Sequence, residues 1–173
     1  MSITATTIIQ TEFGQFKINY HKISGKDFVS LSLGNVEAGN PVVRIHSTCL
    51  FGEAFHSTQC NCALQLTKAM KAIADNKGGV IVYSHCDEGR GVGLENKIKT
   101  MEIKRIEGIS TSQALKKIGL VESDPNDYRF EVEVLGDLYI SKTIVSFSNN
   151  SNKKKALESA GYVITGRLEV SSD

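Results

Sequence analysis

The chain has 173 residues, of which 40% are hydrophobic and 23% are charged, and its net charge at pH 7 is +1. A chain of this length can bury a full core as one domain, and a charge near zero creates no field that would favour nucleic acid or an anionic membrane. The N-terminal segment lacks the basic and apolar regions of a signal peptide, and no apolar run is long enough to span a membrane. We therefore expect a cytoplasmic protein without nucleic-acid or membrane partners.

The first part of the chain predicts β-strands. Apolar and polar residues alternate over residues 13–23 and 28–33, and turn signals follow at residues 34–35 and 39–41. Residues 42–45 are a short apolar run that is typical of a buried strand.

The remainder of the chain alternates between helix and strand patterns. Helices are predicted over residues 63–74, 94–106, 111–118 and 153–160, and the third of them opens with the capping box Ser110-x-x-Gln113. Strands are predicted over residues 79–83, 132–135, 143–147 and 162–168. Such alternation predicts a layered α/β fold.

Three of the four cysteines lie close together in the sequence, as Cys49-x10-Cys60-x-Cys62. Cysteines in a chain without a secretion signal are typically reduced, so this spacing indicates a metal site and not a disulfide. Three thiolate ligands leave one position of a tetrahedral zinc open, as in catalytic sites. Cys86 could instead complete a closed structural site, and the spacing alone leaves both alternatives open.

Two loops that follow predicted strands carry polar groups suited to a nucleotide. Residues 85–93 are glycine-rich and contain Glu88 and Arg90, which can accept from an exocyclic amine and bind a phosphate or a purine oxygen. Residues 148–153 either cap a helix with polar side chains or form an anion site that includes Lys153. Each signal is weak by itself, because most such segments only turn the chain or cap a helix.

Five segments together resemble the GTP cyclohydrolase II family, whose zinc enzymes open the imidazole ring of guanine at the start of riboflavin biosynthesis. They lie in the family's order at residues 44–52, 60–65, 88–98, 127–129 and 148–153. The resemblance implies a single domain over residues 1–173, with a mixed β-sheet flanked by helices, and a homodimer. It also implies a hydrolase that opens GTP at C8 and releases formate and pyrophosphate to give a diaminopyrimidine ribonucleotide.

The resemblance also assigns the metal and the catalytic residues. Cys49, Cys60 and Cys62 correspond to the ligands of one zinc ion per chain, and Cys86 does not. Asp127 corresponds to a general base, although Asp124 is an alternative alignment. Arg129 corresponds to a residue thought to attack the α-phosphorus. We interpret Arg129 as a phosphate clamp, with covalent involvement left open, because a guanidinium group stays protonated in ordinary settings.

The nucleotide contacts are implied in the same way, with Mg²⁺ bridging the phosphates of GTP or a related purine nucleotide. Thr111 also lies in the first turn of a capped helix, so simple capping remains an alternative for it. The corresponding residues are Arg44, Gln65, Glu88, Gly89, Arg90, Thr111, Ser148 and Lys153.

Departures from the family pattern indicate a divergent paralogue. Thr48, Gln59 and Asn61 stand where the family usually has glutamate, arginine and aspartate, and Met101 replaces a tyrosine, which makes it a candidate product-determining residue. One alternative is therefore an enzyme that stops at the 5-formamido pyrimidine nucleotide or acts on another purine nucleotide. A second is a catalytically dead protein that binds zinc and a nucleotide.

Overall fold

The computed structural model describes residues 2–85, 88–89, 91–120 and 128–168 of the chain. Within these residues, seven strands form one sheet: β1 (Ile3–Thr11), β2 (Gly14–Ile23), β3 (Lys26–Gly34), β4 (Val42–Ser47), β5 (Gly78–Ser84), β6 (Thr143–Phe147) and β7 (Val163–Leu168). The helices in the same residues are α1 (Leu50–Glu53), α2 (Cys62–Asp75), α3 (Gly93–Glu107), α4 (Thr111–Lys117), α5 (Arg129–Asp137) and α6 (Ser151–Ser159).

The sheet is mixed, with the strand order β1-β2-β3-β5-β4-β6-β7. The first three strands and β5 are antiparallel neighbours, whereas β5, β4, β6 and β7 run parallel. The predicted α/β fold, a mixed β-sheet flanked by helices, is confirmed. That residues 1–173 form a single domain stays a prediction.

Strand β4 lies at the point where the strand order reverses. The chain leaves β4 through α1 and α2 to β5 on one side, and returns through α3, α4 and α5 to β6 on the other. In open α/β sheets, ligands bind at such a switch point, beyond the carboxyl ends of the strands. The ladder between β4 and β6 pairs Val42 with Val145 and Val43 with Ser146 and ends there.

Apolar side chains on both faces of the sheet hold the helices in place. On one face, Ile73 of α2 packs in a cluster with Val42 and Ile81. On the other face, Leu135 of α5 packs in a cluster that contains Val43. Because successive strand residues point to opposite faces, the continuous apolar runs of β4 and β5 serve both clusters.

One predicted element has the wrong type. Residues 132–135 predict a strand because Glu-Val-Glu-Val alternates polar and apolar residues, but they lie within α5. The buried residues of this helix, Glu131, Val134 and Leu135, have the spacing of a helix face. Strand β1 has no counterpart in the sequence analysis, since it is an edge strand with mostly exposed side chains.

No helix within the described residues combines the length and the apolar character needed to cross a membrane.

Candidate active site

Several of the predicted site residues lie at the carboxyl ends of three adjacent parallel strands. Cys49 follows β4, Glu88 follows β5 and Ser148 follows β6. Cys62 is the first residue of α2, which packs across the sheet from this edge. The order of the strands therefore brings residues far apart in the sequence to one edge of the sheet.

The sulfur atoms of Cys49, Cys60 and Cys62 form a compact cluster. All three lie within 4.8 Å of one another, and the sulfurs of Cys49 and Cys60 are 3.6 Å apart. A disulfide would need about 2.05 Å. Two zinc–sulfur bonds of about 2.3 Å at a tetrahedral angle place the sulfurs about 3.8 Å apart. The spacing thus fits three ligands of one zinc ion.

The ionisation of these thiols also favours a bound cation. Burial and the two neighbouring sulfurs raise the pKa of Cys62. Burial acts in the same direction on Cys49, but the Gly52 amide, the neighbouring sulfurs and Lys97 together hold the pKa of Cys49 below its usual value. Three thiolates this close repel one another, so a divalent ion is needed for all three to be ionised. Cys86 lies outside the described residues, and its exclusion from the site stays a prediction.

Glu53 connects the first cysteine to strands β4 and β5. Its Oε1 accepts hydrogen bonds from the Cys49 amide at 3.1 Å and from His46 Nε2 at 2.9 Å, and its Oε2 accepts from the Tyr83 hydroxyl at 2.5 Å. Burial acts to raise the pKa of Glu53, but the hydrogen bonds from His46 and Tyr83 hold it below its usual value. This carboxylate fixes the turn that presents Cys49, a role that sequence analysis did not assign.

Arg44 is a buried cation at the switch point, with only 5% of its surface exposed. Its guanidinium donates to the Phe147 carbonyl of β6 at 3.1 Å and to His46 Nδ1 at 3.3 Å. Because arginine can only donate, His46 Nδ1 is an acceptor and Nε2 carries the proton that is donated to Glu53. Burial lowers the pKa of Arg44 to about 10, although nearby negative charge acts in the opposite direction.

Gln65 extends this network to the other two cysteines. Its Oε1 accepts from Arg44 at 2.7 Å, and its Nε2 donates to Asn61 Oδ1 at 2.6 Å. Asn61 lies between Cys60 and Cys62 in the sequence. Arg44 and Gln65 are therefore beside the metal-ligand segment, and each orients the other; their contacts with the nucleotide stay predictions.

Lys153 is a second buried cation near the same strand ends, with 8% of its surface exposed. Its ammonium group donates to the Ile45 carbonyl at 2.9 Å and lies 5.2 Å from the centre of the Tyr128 ring. The Asn150 side chain accepts from the amides of residues 152 and 153, so the predicted helix cap is present. The hydroxyl of Ser148, which is also buried, accepts from the Asn150 amide at 3.1 Å.

The loop after β5 contacts the cysteine segment through Glu88. Its Oε2 accepts from the Leu50 amide at 2.8 Å, and its Oε1 accepts from Lys97 Nζ at 2.5 Å. Gly89 has a φ of +66°, and a Cβ there would lie 2.9 Å from the Gly93 carbonyl oxygen and 3.0 Å from Lys97 Cβ. Glycine is therefore required at residue 89. Arg90 lies outside the described residues.

Two further predicted residues lie on or beside α3. Thr111 begins α4 after the N-cap Ser110, whose predicted capping box with Gln113 is confirmed. The Thr111 hydroxyl accepts from Lys104 of α3 at 3.0 Å, in a different set of contacts from those around the cysteines. Met101 is half-buried on α3, one helical turn beyond Lys97 and on the same face.

The predicted catalytic pair is only partly described. Arg129 is the first residue of α5 and is exposed, with its guanidinium 4.7 Å from the centre of the Phe130 ring. Its neighbour Tyr128 is the residue whose ring lies against Lys153. Asp127, and Asp124 with it, lies outside the described residues. The roles of both members of the pair stay predictions.

Comparison with known proteins gives consistent family matches. A family model described as GTP cyclohydrolase II matches residues 2–169. The GTP cyclohydrolase-2 of Azotobacter vinelandii is 39% identical over 167 residues, which cover 95% of this chain and 78% of that protein. The riboflavin biosynthesis protein RibBA of Aquifex aeolicus is 38% identical over 169 residues, which cover 96% of this chain but only 41% of that protein.

A solved structure also matches, but weakly. It is a two-domain 3,4-dihydroxy-2-butanone 4-phosphate synthase from A. baumannii, with a TM-score of 0.49 and 15% sequence identity over 99% of this chain and 40% of that chain. This likeness is too low to support an inference.

The family model and the GTP cyclohydrolase-2 relatives confirm the resemblance on which the sequence analysis relied. The chain belongs to the GTP cyclohydrolase II family of hydrolases.

Proposed function

We propose that this chain is a zinc-dependent GTP cyclohydrolase II that opens the imidazole ring of GTP at C8. The observation that carries the proposal is the cluster of three cysteine sulfurs within 4.8 Å of one another. Asn61, between two of these cysteines, is linked through Gln65 to the buried cation Arg44. Zinc, when bound to the three cysteines, would supply a Lewis acid and lower the pKa of a water that attacks the ring. The expected products are a diaminopyrimidine ribonucleotide, formate and pyrophosphate.

The chain's own residues would bind and orient the nucleotide. Arg44 and Lys153 are positioned at the β4–β6 switch point, where a polyanion such as a triphosphate would gain most from two buried cations. Glu88 and Gln65 would offer a carboxylate acceptor and an amide to the edge of the base once the base replaces some of their present partners. Arg129 would clamp the α-phosphate, and Asp127 would take a proton from the attacking water. The remaining proposed contacts are Gly89, Arg90, Thr111 and Ser148.

Several finer features belong to the same proposal. Mg²⁺ would accompany the triphosphate and offset part of its negative charge. A homodimer is supported by apolar side chains that α3 leaves exposed, since Leu94, Ile98 and Ile106 are 37%, 51% and 67% exposed. The pathway would be riboflavin biosynthesis, and the location would be the cytoplasm.

A panel of purine nucleotides tests the function directly. The zinc-loaded protein is incubated with GTP, ATP and related nucleotides, and the products are identified by mass. Because buried groups matched to guanine are left unpaired by adenine, we expect ATP to be turned over at least ~10² less efficiently than GTP. Cys60→Ser should abolish zinc binding and turnover, whereas Cys86→Ser should retain both. Equal turnover of ATP and GTP, or no turnover of any nucleotide by zinc-loaded protein, would contradict the proposal.

Met101 gives a specific reason to consider a second end point, the 5-formamido pyrimidine nucleotide. It lies four residues beyond Lys97 on α3, and Lys97 contacts Cys49. A thioether donates no hydrogen bond, whereas the family's tyrosine at this position could pass a proton to the departing nitrogen. Loss of one proton-transfer group commonly costs about 10²–10⁴ in rate. The formamide could then be released before formate.

We expect the wild-type protein to accumulate some formamide product and Met101→Tyr to increase formate release. The measurement is a time course in which formate and the pyrimidine products are quantified together. The matched control is Ile103→Tyr, which adds a phenol to the same helix two positions away. Stoichiometric formate from the wild-type protein, with no formamide at early times, would show that Met101 only packs the helix.

A further inference from the structure

The side chain of Lys97 contacts both a cysteine of the cluster and Glu88. Its Nζ is 3.3 Å from the sulfur of Cys49 and 2.5 Å from Glu88 Oε1. The same ammonium lies 4.9 Å from the centre of the Phe51 ring. The resemblance placed Lys97 within a matching segment but gave it no role.

The contacts of Lys97 are largely shielded from solvent. The side chains of Lys97 and Glu88 are 17% and 12% exposed, whereas the neighbouring surface pair Lys99–Glu95 is 53% and 79% exposed. Ion pairs of the exposed kind contribute little, but a charge-assisted hydrogen bond is stronger where water is excluded. A lysine side chain is ordinarily an ammonium at neutral pH, and here it donates to Glu88 and to Cys49.

A cation in this position has two physical consequences. A hydrogen bond from an ammonium withdraws electron density from the Cys49 sulfur, which offsets the charge that three thiolates would donate to one zinc ion. The same ammonium fixes one oxygen of Glu88, while the Leu50 amide fixes the other at 2.8 Å. Leu50 directly follows Cys49, so the metal-ligand turn and the loop after β5 are held together at two points.

We propose that Lys97 is a positioning residue that couples the zinc ligand Cys49 to the base-binding carboxylate Glu88. This role rests on the proposed zinc site and guanine contact. The experiment must therefore distinguish a failure of the Lys97 role from a failure of the proposed function. Lys97 sets the electron donation of the Cys49 thiolate and the orientation of Glu88. Removal of its ammonium should therefore change both the zinc affinity of the cysteine cluster and the binding of the base at Glu88. If Lys97 had only a packing role, its removal would leave both properties unchanged.

The test compares wild type with Lys97→Met, which keeps an unbranched side chain that can pack against the Phe51 ring. Zinc affinity is measured by competition with a chromophoric chelator, and we expect a loss of about 10- to 100-fold, as for other residues that contact metal ligands. In the cobalt(II)-substituted protein, the sulfur-to-metal charge-transfer band should move to lower energy, because a thiolate without its donor is more easily oxidised. At saturating zinc, KM for GTP should rise.

Matched variants separate the proposal from general damage. Lys99→Met removes an ammonium from the same helix and should leave zinc affinity, the cobalt spectrum and KM unchanged. Lys97→Arg keeps the charge and should restore most of the zinc affinity. Circular dichroism checks folding, and Lys97→Gln replaces the methionine variant if that variant does not fold.

The outcomes distinguish the two levels of inference. If the wild-type protein binds no zinc, both the proposed function and the proposed role of Lys97 are contradicted. Wild-type protein that binds zinc, with folded Lys97→Met or Lys97→Gln equal to it in affinity and cobalt spectrum, overturns this inference alone. An unchanged KM at saturating zinc also overturns it, because Glu88 would then be oriented without Lys97.

Discussion

Gly52→Ala is expected to weaken zinc binding by about 5- to 150-fold while leaving the fold in place. Gly52 is buried in α1, and a Cβ there would lie 2.6 Å from the sulfur of Cys60 and 3.2 Å from Cys62 Cβ. The clash would push the cysteine segment away from α1. Overpacking of this kind costs about 1–3 kcal/mol, and each 1.4 kcal/mol is a factor of about ten. The measurement is zinc affinity by chelator competition.

Gly136→Ala is the matched control for this change. Gly136 also lies in a helix, but a Cβ at that position meets no heavy atom within 4 Å. Alanine there should raise stability slightly, by about 0.5–1 kcal/mol, and leave zinc affinity unchanged. If the Gly52 variant bound zinc as tightly as wild type, the three sulfurs would not be the metal site, since they could not keep their spacing around the added methyl group.

The secondary structure could be predicted where burial imposes a clear period. Residues 42–45 and 79–83 were identified as strands because both faces of β4 and β5 are covered, which produces continuous apolar runs. The α5 error arose because Glu-Val-Glu-Val fits a strand when only neighbouring residues are compared. Glu131 is buried there, with an oxygen accepting from the Ser84 hydroxyl at 2.8 Å, and a buried carboxylate gives no apolar signal.

The cysteine cluster was predictable because its members are neighbours in the sequence. The contacts that Arg44 and Lys153 make were not predictable from local patterns. Arg44 reaches the Phe147 carbonyl across 103 positions of sequence, and Lys153 reaches Ile45 across 108. Such contacts depend on the placement of β4 between β5 and β6, which no local pattern encodes. Only the family resemblance indicated Arg44, whereas the loop before α6 had offered an anion site with Lys153 as one of two alternatives.

The roles of Glu53 and Lys97 were missed for a different reason. Charged residues near or within helices normally face solvent, so neither had a signal that set it apart. The structure shows each of them bridging two segments of the candidate site. A rule could have drawn attention to Glu53, because a carboxylate four residues after a ligand cysteine can reach back to that cysteine's amide.

Lys153→Gln is expected to raise KM for GTP by about 10- to 150-fold without loss of folding stability. The buried ammonium donates to the Ile45 carbonyl, and glutamine retains a donor that can serve this acceptor. Because this donor is kept, the free energy of unfolding should change little. A lost charge-assisted contact to phosphate is worth about 1.5–3 kcal/mol, which gives the expected range.

Lys154→Gln is the control, because Lys154 is 57% exposed and pairs with Glu158 at 3.6 Å on the surface of α6. It should change neither KM nor stability. Binding of GTP, GDP and guanosine to the Lys153 variant locates the effect: the loss should be largest for GTP and absent for guanosine, since a phosphate contact contributes nothing to the nucleoside. An equal loss for all three ligands would place Lys153 in the support of the fold and not in phosphate binding. A fall in stability with unchanged KM would lead to the same conclusion, because the buried ammonium would then support the fold and not the phosphates.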